Sequence, residues 1–423
     1  MAEMNPLQLL LETTLKQIPQ LLLEKRLTEK FKASGLTITP AAVRKAALHV
    51  LSGSENSIRI DGTSDGDDVS IEITDEDIEY VVSGTERLHT EQLEGVLRKA
   101  SNDIANLVYK DLAKRWSVES KAQKEDIEQF RGRLEHRWSK GLAKLRMLLT
   151  IVREWAQGAH ERRQHTNGGK LSRYDDVMLR LHVRACQVTH EIIVLLENGL
   201  ADGAMARWRT LHEITIVAAI IARFGDEIAE RYVHYQIVES FGAIKAYERD
   251  HKALGYKAPS KRQSEKIRKD YKAVIVRFGK KFGEEYGWAA HHLGITGKDR
   301  LTFARLEVAV GNPFMRSPYK MASYNVHASP KGVYFKLGSL DGFPGYLAGA
   351  SNAGLTEPAQ HTAVSLFEIS MLAIGDSVDL DDLVVANIIA RLEFEIPKLF
   401  WKAGKLLKRD DKKQRAATSR SQQ

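Results

Sequence analysis

Two apolar-striped segments, Tyr174–Leu196 and Ala201–Phe224, are separated by little more than Glu197-Asn198-Gly199. So short a connection leaves two helices one arrangement, running back along each other as antiparallel neighbours. In the second segment Ala201, Ala204, Trp208, Leu211, Thr215, Ala218 and Ala222 follow one helical stripe, and from Ile214 to Ala222 the chain is apolar on every side. That pattern predicts a helix at the centre of a bundle. Its first half reads ARWRTLHEIT, residues 206–215, which places two arginines, a histidine and a glutamate at the entrance to a core. Charges taken out of water need partners.

Folding about position 198–199 brings His190 and Glu191 near Arg207, and Cys186 near Leu211. Arg209 and Glu213 lie four apart and can pair on one helix face. One reading is therefore a structural network, with Arg207 tied to Glu191 across the hairpin. The other is chemical, an arginine that holds an anion beside a histidine that moves a proton. Further along, Tyr319, Ser323 and His327 recur at i, i+4 and i+8. They share one helix face, just before a Gly-rich stretch, and could line a pocket with Arg209 and Glu213.

The rest of the chain is read as mainly α. Only ten prolines interrupt 423 residues, and Leu, Ala, Ile, Val, Glu, Lys and Arg dominate. Residues 5–33 carry a helical stripe with Pro19 as a kink or break, and a second helix starts at Pro40. The alternating runs Ser57–Ile60 and Val69–Ile73, around a Gly/Asp-rich turn, predict a small β-hairpin near 57–73. Residues 90–115 and 119–164 are helical, with Gly132 and Gly141 as weak points in the second. The polar segment 164–172 with Asn167-Gly168-Gly169 is the best linker. It divides an N-terminal helical region, 1–165, from a helical bundle domain, 173–401.

The net charge of +8 sits mainly in the tail. Lys402 to Arg420 holds eight Lys/Arg and two Asp, leaving about +2 for everything before it. Residues 402–423 are expected to be basic and disordered, with RNA, DNA or an acidic surface as an electrostatic partner. A single cysteine, Cys186, excludes an internal disulfide framework and a cysteine-rich zinc site. The His-Glu pairs at 190–191 and 212–213 lack a second histidine at zincin spacing. Asp61-x-Thr63-x-Asp65-Gly66 reads as an acidic turn rather than a calcium loop. No metal and no cofactor is expected. The N-terminus has no signal-peptide pattern and no apolar run reaches membrane-spanning length, so a cytoplasmic protein that does not enter membranes is expected.

Arg207 and His212, with four residues between them, are similar to the Arg-x(4–6)-His signature of the HEPN superfamily. Those helical bundles often act as metal-independent ribonucleases in bacterial defence and toxin systems. The resemblance implies a homodimer whose interface unites the arginines and histidines of two protomers. It implies His212 as acid and base on a ribose 2′-hydroxyl and Arg207 as the stabiliser of phosphorane charge. A step of five residues turns an ideal helix by about 140°, so only a kink or a dimeric cleft would reunite the two side chains.

A second likeness covers roughly 174–375. It rests on Glu197 and Gly199, then Ala204, Arg209 and Glu213, then Tyr319, Ser323, His327 and Ser329. These positions resemble the pattern of a family of uncharacterised bacterial helical proteins, a domain of unknown function. That likeness implies a shared fold and no reaction. Three functions stay open: a HEPN-like ribonuclease or toxin-type effector acting on RNA; a non-enzymatic interaction protein whose N-terminal half or basic tail contacts a partner; and a hydrolase or transferase for a small anionic molecule. In the first, Arg207 and His212 are the candidate catalytic pair, with Arg209, Glu213, Glu191, Tyr319, Ser323 and His327 as binding or supporting residues. In the second the same polar cluster merely fixes the bundle. In the third the substrate sits in a single-chain pocket.

Overall fold

Helix follows helix because helix formers dominate and turn residues are few. The computed structural model describes residues 6–53, 71–87, 93–166, 170–340, 345–374 and 379–421. Among these there are fourteen α-helices and no strand. The expected hairpin is not seen. Residues 54–70 lie outside the described residues, and 71–74, which end its second run, form no strand.

The chain divides into two compact units, residues 1–123 and 124–423. In the first, α1 (Pro6–Ala33), α2 (Pro40–Leu51) and α3 (Asp75–Arg87) pack around Leu23, Leu27, Phe31, Val43, Ala46, Ala47 and Val81. Pro19 lies inside α1 without dividing it. Pro40 stands at the first helical position of α2, and Thr39 caps it by accepting from the Ala42 amide at 3.3 Å. The buried carboxylate of Asp77 ties α3 to α1. It accepts from Arg26 Nε at 2.9 Å, from Lys30, and from the Thr74 amide and hydroxyl at 2.9 and 3.0 Å.

One helix, α4 (Leu93–Thr166), replaces the two expected between 90 and 164. Residues 116–118 contain no breaker. Gly141 is a packing notch, since a Cβ there would lie 2.7 Å from the Phe400 ring. The division between units falls inside this helix, whereas segment 164–172 connects two helices of the second unit. The reason is an apolar stripe, Leu134, Trp138, Leu142, Leu145, Leu149 and Val152, buried in the core of the second unit.

Ser172 caps α5 (Arg173–Glu197) by accepting from the Asp175 amide at 3.0 Å. Gly199 then adopts φ 69°, a left-handed conformation that suits glycine, and the Leu200 amide returns to the Leu195 carbonyl at 2.9 Å. α6 (Ala201–Phe224) runs back along α5 as the short turn requires. Next come α7 (Asp226–Asp250), α8 (Lys261–Phe278), the short α9 (Gly287–Ala290), α10 (Phe303–Ala309), α11 (Arg316–Val326) and α12 (Pro330–Tyr334). α13 (Thr356–Ile374) and α14 (Leu380–Ser421) close the bundle. Helix α6 packs against α5, α7, α10, α11 and α13, and Trp208, Leu211, His212, Ile220 and Ile221 are wholly buried.

The tail expected to be disordered is helical. α14 continues to Ser421, because residues 402–421 are rich in Lys, Arg, Leu and Ala and contain no proline. Leu407 packs against the core, and Asp410 pairs with Arg137 of α4 at 3.0 Å. No helix among the described residues is long and apolar enough to cross a membrane.

Candidate functional site

Helical phase decides which polar side chains of α6 meet. Arg209 and Glu213, one turn apart, point toward α11, and their ionic groups lie 2.9 Å apart. Arg209 Nε donates to Ser323 Oγ at 3.1 Å and an Nη donates to the Tyr319 hydroxyl at 2.7 Å. The Tyr319 hydroxyl in turn donates to Glu213 at 2.6 Å. The Arg209 guanidinium also lies 4.9 Å from the Tyr319 ring centre. Burial, and then the bond to Glu213, raises the Tyr319 hydroxyl far above the ordinary tyrosine range, so it stays protonated.

His212 faces another way. Its ring is fully buried, stacked on Trp208 with centroids 5.4 Å apart and edge-on to Phe303. Nε2 lies 3.0 Å from Oε1 of Glu307, which is itself only 1% exposed, and Arg316 reaches the other Glu307 oxygen at 3.0 Å. Burial lowers the His212 pKa, with the Glu307 bond opposing that shift. The neutral ring therefore donates through Nε2, and Nδ1 is a buried acceptor without a partner. The Trp208 indole is held by the His361 carbonyl at 3.0 Å and Ser365 Oγ at 3.1 Å.

Arg207 lies outside this cluster. It donates to Glu191 of α5 and, at 3.3 Å, to Thr210 Oγ1. Within one chain Arg207 and His212 thus have no partner in common. His327 ends α11 as an exposed residue, and its imidazole has no hydrogen-bond partner among the described residues. The structure brings together Arg209, Glu213, Tyr319 and Ser323, with His212 in the adjoining Glu307–Arg316 network. It does not bring Arg207, Glu191 or His327 to them.

Four contributors escaped sequence reasoning. Glu307 could have been found as a lone carboxylate in the apolar run Phe303–Val310. Arg316 carried no such signal. Trp208 was read only as packing. Tyr286 has φ 53°, a left-handed conformation rare for a bulky side chain. Burial, then the Glu213 charge, pushes its hydroxyl up to about 12. A separate buried pair, His182 Nε2 and Ser370 Oγ at 3.1 Å, imitates half of a hydrolase triad. The Ser370 hydroxyl spends its proton on the Leu366 carbonyl at 2.7 Å. The imidazole is therefore the donor, and the serine is not activated.

Two arginines, Arg209 and Arg316, face two carboxylates, Glu213 and Glu307. The cluster is electrically balanced. It locks α6 to α10 and α11 and has no surplus positive charge for an anion.

Residues 175–344 match the model of a family of unknown function (DUF5677). The likeness to an uncharacterised helical family is thereby shown over that stretch, which contains every member of the cluster. Neither the curated proteins nor the solved structures give a match.

Proposed function

We propose that this chain is a non-enzymatic helical interaction protein that associates with a second copy of itself through the first half of α4. The observation that carries the reading is an apolar face. Ile104, Val108, Leu112 and Trp116 recur every four residues, flanked by Leu107 and Tyr109, and all six are between 40% and 72% exposed. An amphipathic helix gains most of its stability by packing such a face. Ile104, Val108, Tyr109, Leu112 and Trp116 fall within about 140° of one another, with Leu107 beyond their edge. At roughly 100 Å² each these five offer roughly 500 Å², against the ~800 Å² per partner of a stable interface. A second copy supplies the same face at the same concentration, in a closed two-fold contact.

The balanced, buried cluster around α6 supports a structural rather than a chemical role for the polar residues. A ribonuclease reading needs Arg207 and His212 beside one substrate. Here the arginine is tied to Glu191 and the histidine is sealed.

Light scattering on the full chain tests the proposal. The wild type is expected at twice its 47.6 kDa mass, and Leu107→Glu/Leu112→Glu/Trp116→Glu at the monomer mass with an unchanged thermal transition of the second unit. A wild type that stays monomeric at tens of micromolar would overturn it.

A further inference from the structure

The buried face of α14 is set by Ile389, Leu392, Ile396 and Phe400, which pack into the bundle. The opposite face has its own regular pattern. Phe394, Lys398, Trp401, Lys405, Lys408 and Lys412 follow at steps of four, three, four, three and four. On a helix these positions fall within about 80° of one another and span about 27 Å. All six are exposed, Phe394 and Trp401 at 61% each. Arg391, Lys402 and Arg409 border the face and are exposed too. Of the neighbouring acidic residues, Glu395 pairs with Lys144, Asp411 with Arg415, and Asp410 with Arg137 and with Arg409 at the border, while Glu393 lies on the side of the helix toward Glu368.

We infer that this face binds single-stranded nucleic acid, with Phe394 and Trp401 as stacking platforms and the lysines as phosphate contacts. Exposed rings interleaved with cations are what a single strand requires, because every base has a π-face and every linkage a negative charge. Each ring already carries a cation. Lys398 Nζ sits 3.2 Å from the Phe394 centroid, and Lys405 Nζ 4.9 Å from that of Trp401. An incoming base takes the ring, and the displaced ammonium turns to the neighbouring phosphate. A basic helix that inserts into a membrane, or is wrapped by an acidic helix-binding protein, needs a free apolar face. The buried face of α14 is occupied by the bundle. The exposed apolar residues Leu380, Leu383, Val384 and Ile388 all precede the basic face, whose only apolar members are the two rings. The site is separate from Arg207 and His212 and requires no cleavage. It is also separate from the α4 face, so either proposal can fail alone.

The test is fluorescence polarisation of a labelled 12-nucleotide single-stranded RNA with the full chain, beside sedimentation with vesicles containing phosphatidylserine. Binding to the RNA is expected, with affinity falling linearly against log salt. Lys398→Glu/Lys405→Glu/Lys408→Glu/Lys412→Glu should weaken it at least 100-fold. Trp401→Ala should weaken it about 10-fold at unchanged salt slope, and Trp401→Phe should restore most of the loss. These positions are exposed, so thermal melting should not move. Three results would overturn the inference: no RNA binding at low salt, full binding by Trp401→Ala, or vesicle binding in place of RNA binding.

Discussion

The Tyr319 hydroxyl donates to Glu213 Oε1 at 2.6 Å and accepts from Arg209 at 2.7 Å, joining α11 to α6 across more than a hundred residues of chain. Tyr319→Phe keeps the ring and removes both bonds, which should cost about 1–2 kcal/mol in urea unfolding. Arg209→Lys should cost at least as much. One ammonium cannot reach Ser323, Tyr319 and Glu213 in the geometry of the guanidinium fork. Unchanged stability in both variants would mean that the network does not lock the helices.

His212→Ala leaves the buried Glu307 with one partner fewer and opens a hole beside Trp208. A loss of about 3–5 kcal/mol is expected. His212→Gln keeps a donor for Glu307 and should recover part of it. Metal-free incubation with RNA separates this from catalysis. The structural role expects no cleavage by the wild type, and cleavage abolished by a stably folded His212→Gln would refute it.

The central helical hairpin was legible because its stripe and its three-residue turn depend on neighbouring residues alone. The pairing of Arg207 with Glu191 followed from the same local geometry. The Arg209–Glu213–Tyr319–Ser323 group could be suggested from helical phase, but which face of α11 meets α6 is a tertiary choice. Arg207 and His212 differ by five positions, so they point to different neighbours, as helix geometry requires. Glu307 was missed because a single carboxylate in a short apolar run does not name its partner. The break in α4 expected at 116–118 is absent because Trp116, Ser117 and Val118 include no glycine or proline to end a helix, and Gly141, a weak point by composition, makes room for Phe400 instead. The tail misled because charge repulsion argues for disorder while its Lys, Arg, Leu and Ala content favours a helix once Leu407 and Asp410 are anchored.

Asp77 should be the most sensitive polar position of the first unit. Burial alone would raise its pKa. Hydrogen bonds from Lys30, the Thr74 amide and Arg26 outweigh that and hold it well below the usual carboxylate range. Asp77→Ala removes the acceptor that Arg26, Lys30 and Thr74 share and should cost about 1–3 kcal/mol. Calorimetry should show the transition of the first unit weakened or lost and that of the second unchanged. A carboxylate with a depressed folded pKa contributes stability that is present above the unfolded value of 3.8 and lost as pH falls below it. Acid should therefore reproduce the effect of the substitution.

The second unit should respond to pH in two opposed ways. Burial lowers His182 and His361 to about 4. Between pH 6.5 and 4 the unfolded chain binds protons that these folded imidazoles refuse. Stability should thus fall with falling pH, by about 1.4 kcal/mol per unit for each group. Glu368 acts in reverse. Burial raises its carboxyl to about 7 despite the Asn312 amide, and Glu393 adds to the rise. The folded chain keeps this proton between pH 4.5 and 7 while the unfolded chain releases it, so this contribution falls as pH rises. Glu368→Gln removes only the second effect and keeps an acceptor for Asn312. The variant should match the wild type near pH 5 and exceed it by pH 8, with a gap that opens by on the order of 1 kcal/mol per unit up to pH 7. Urea unfolding at four pH values measures that gap, and a constant difference would show that Glu368 does not hold its proton in the folded chain.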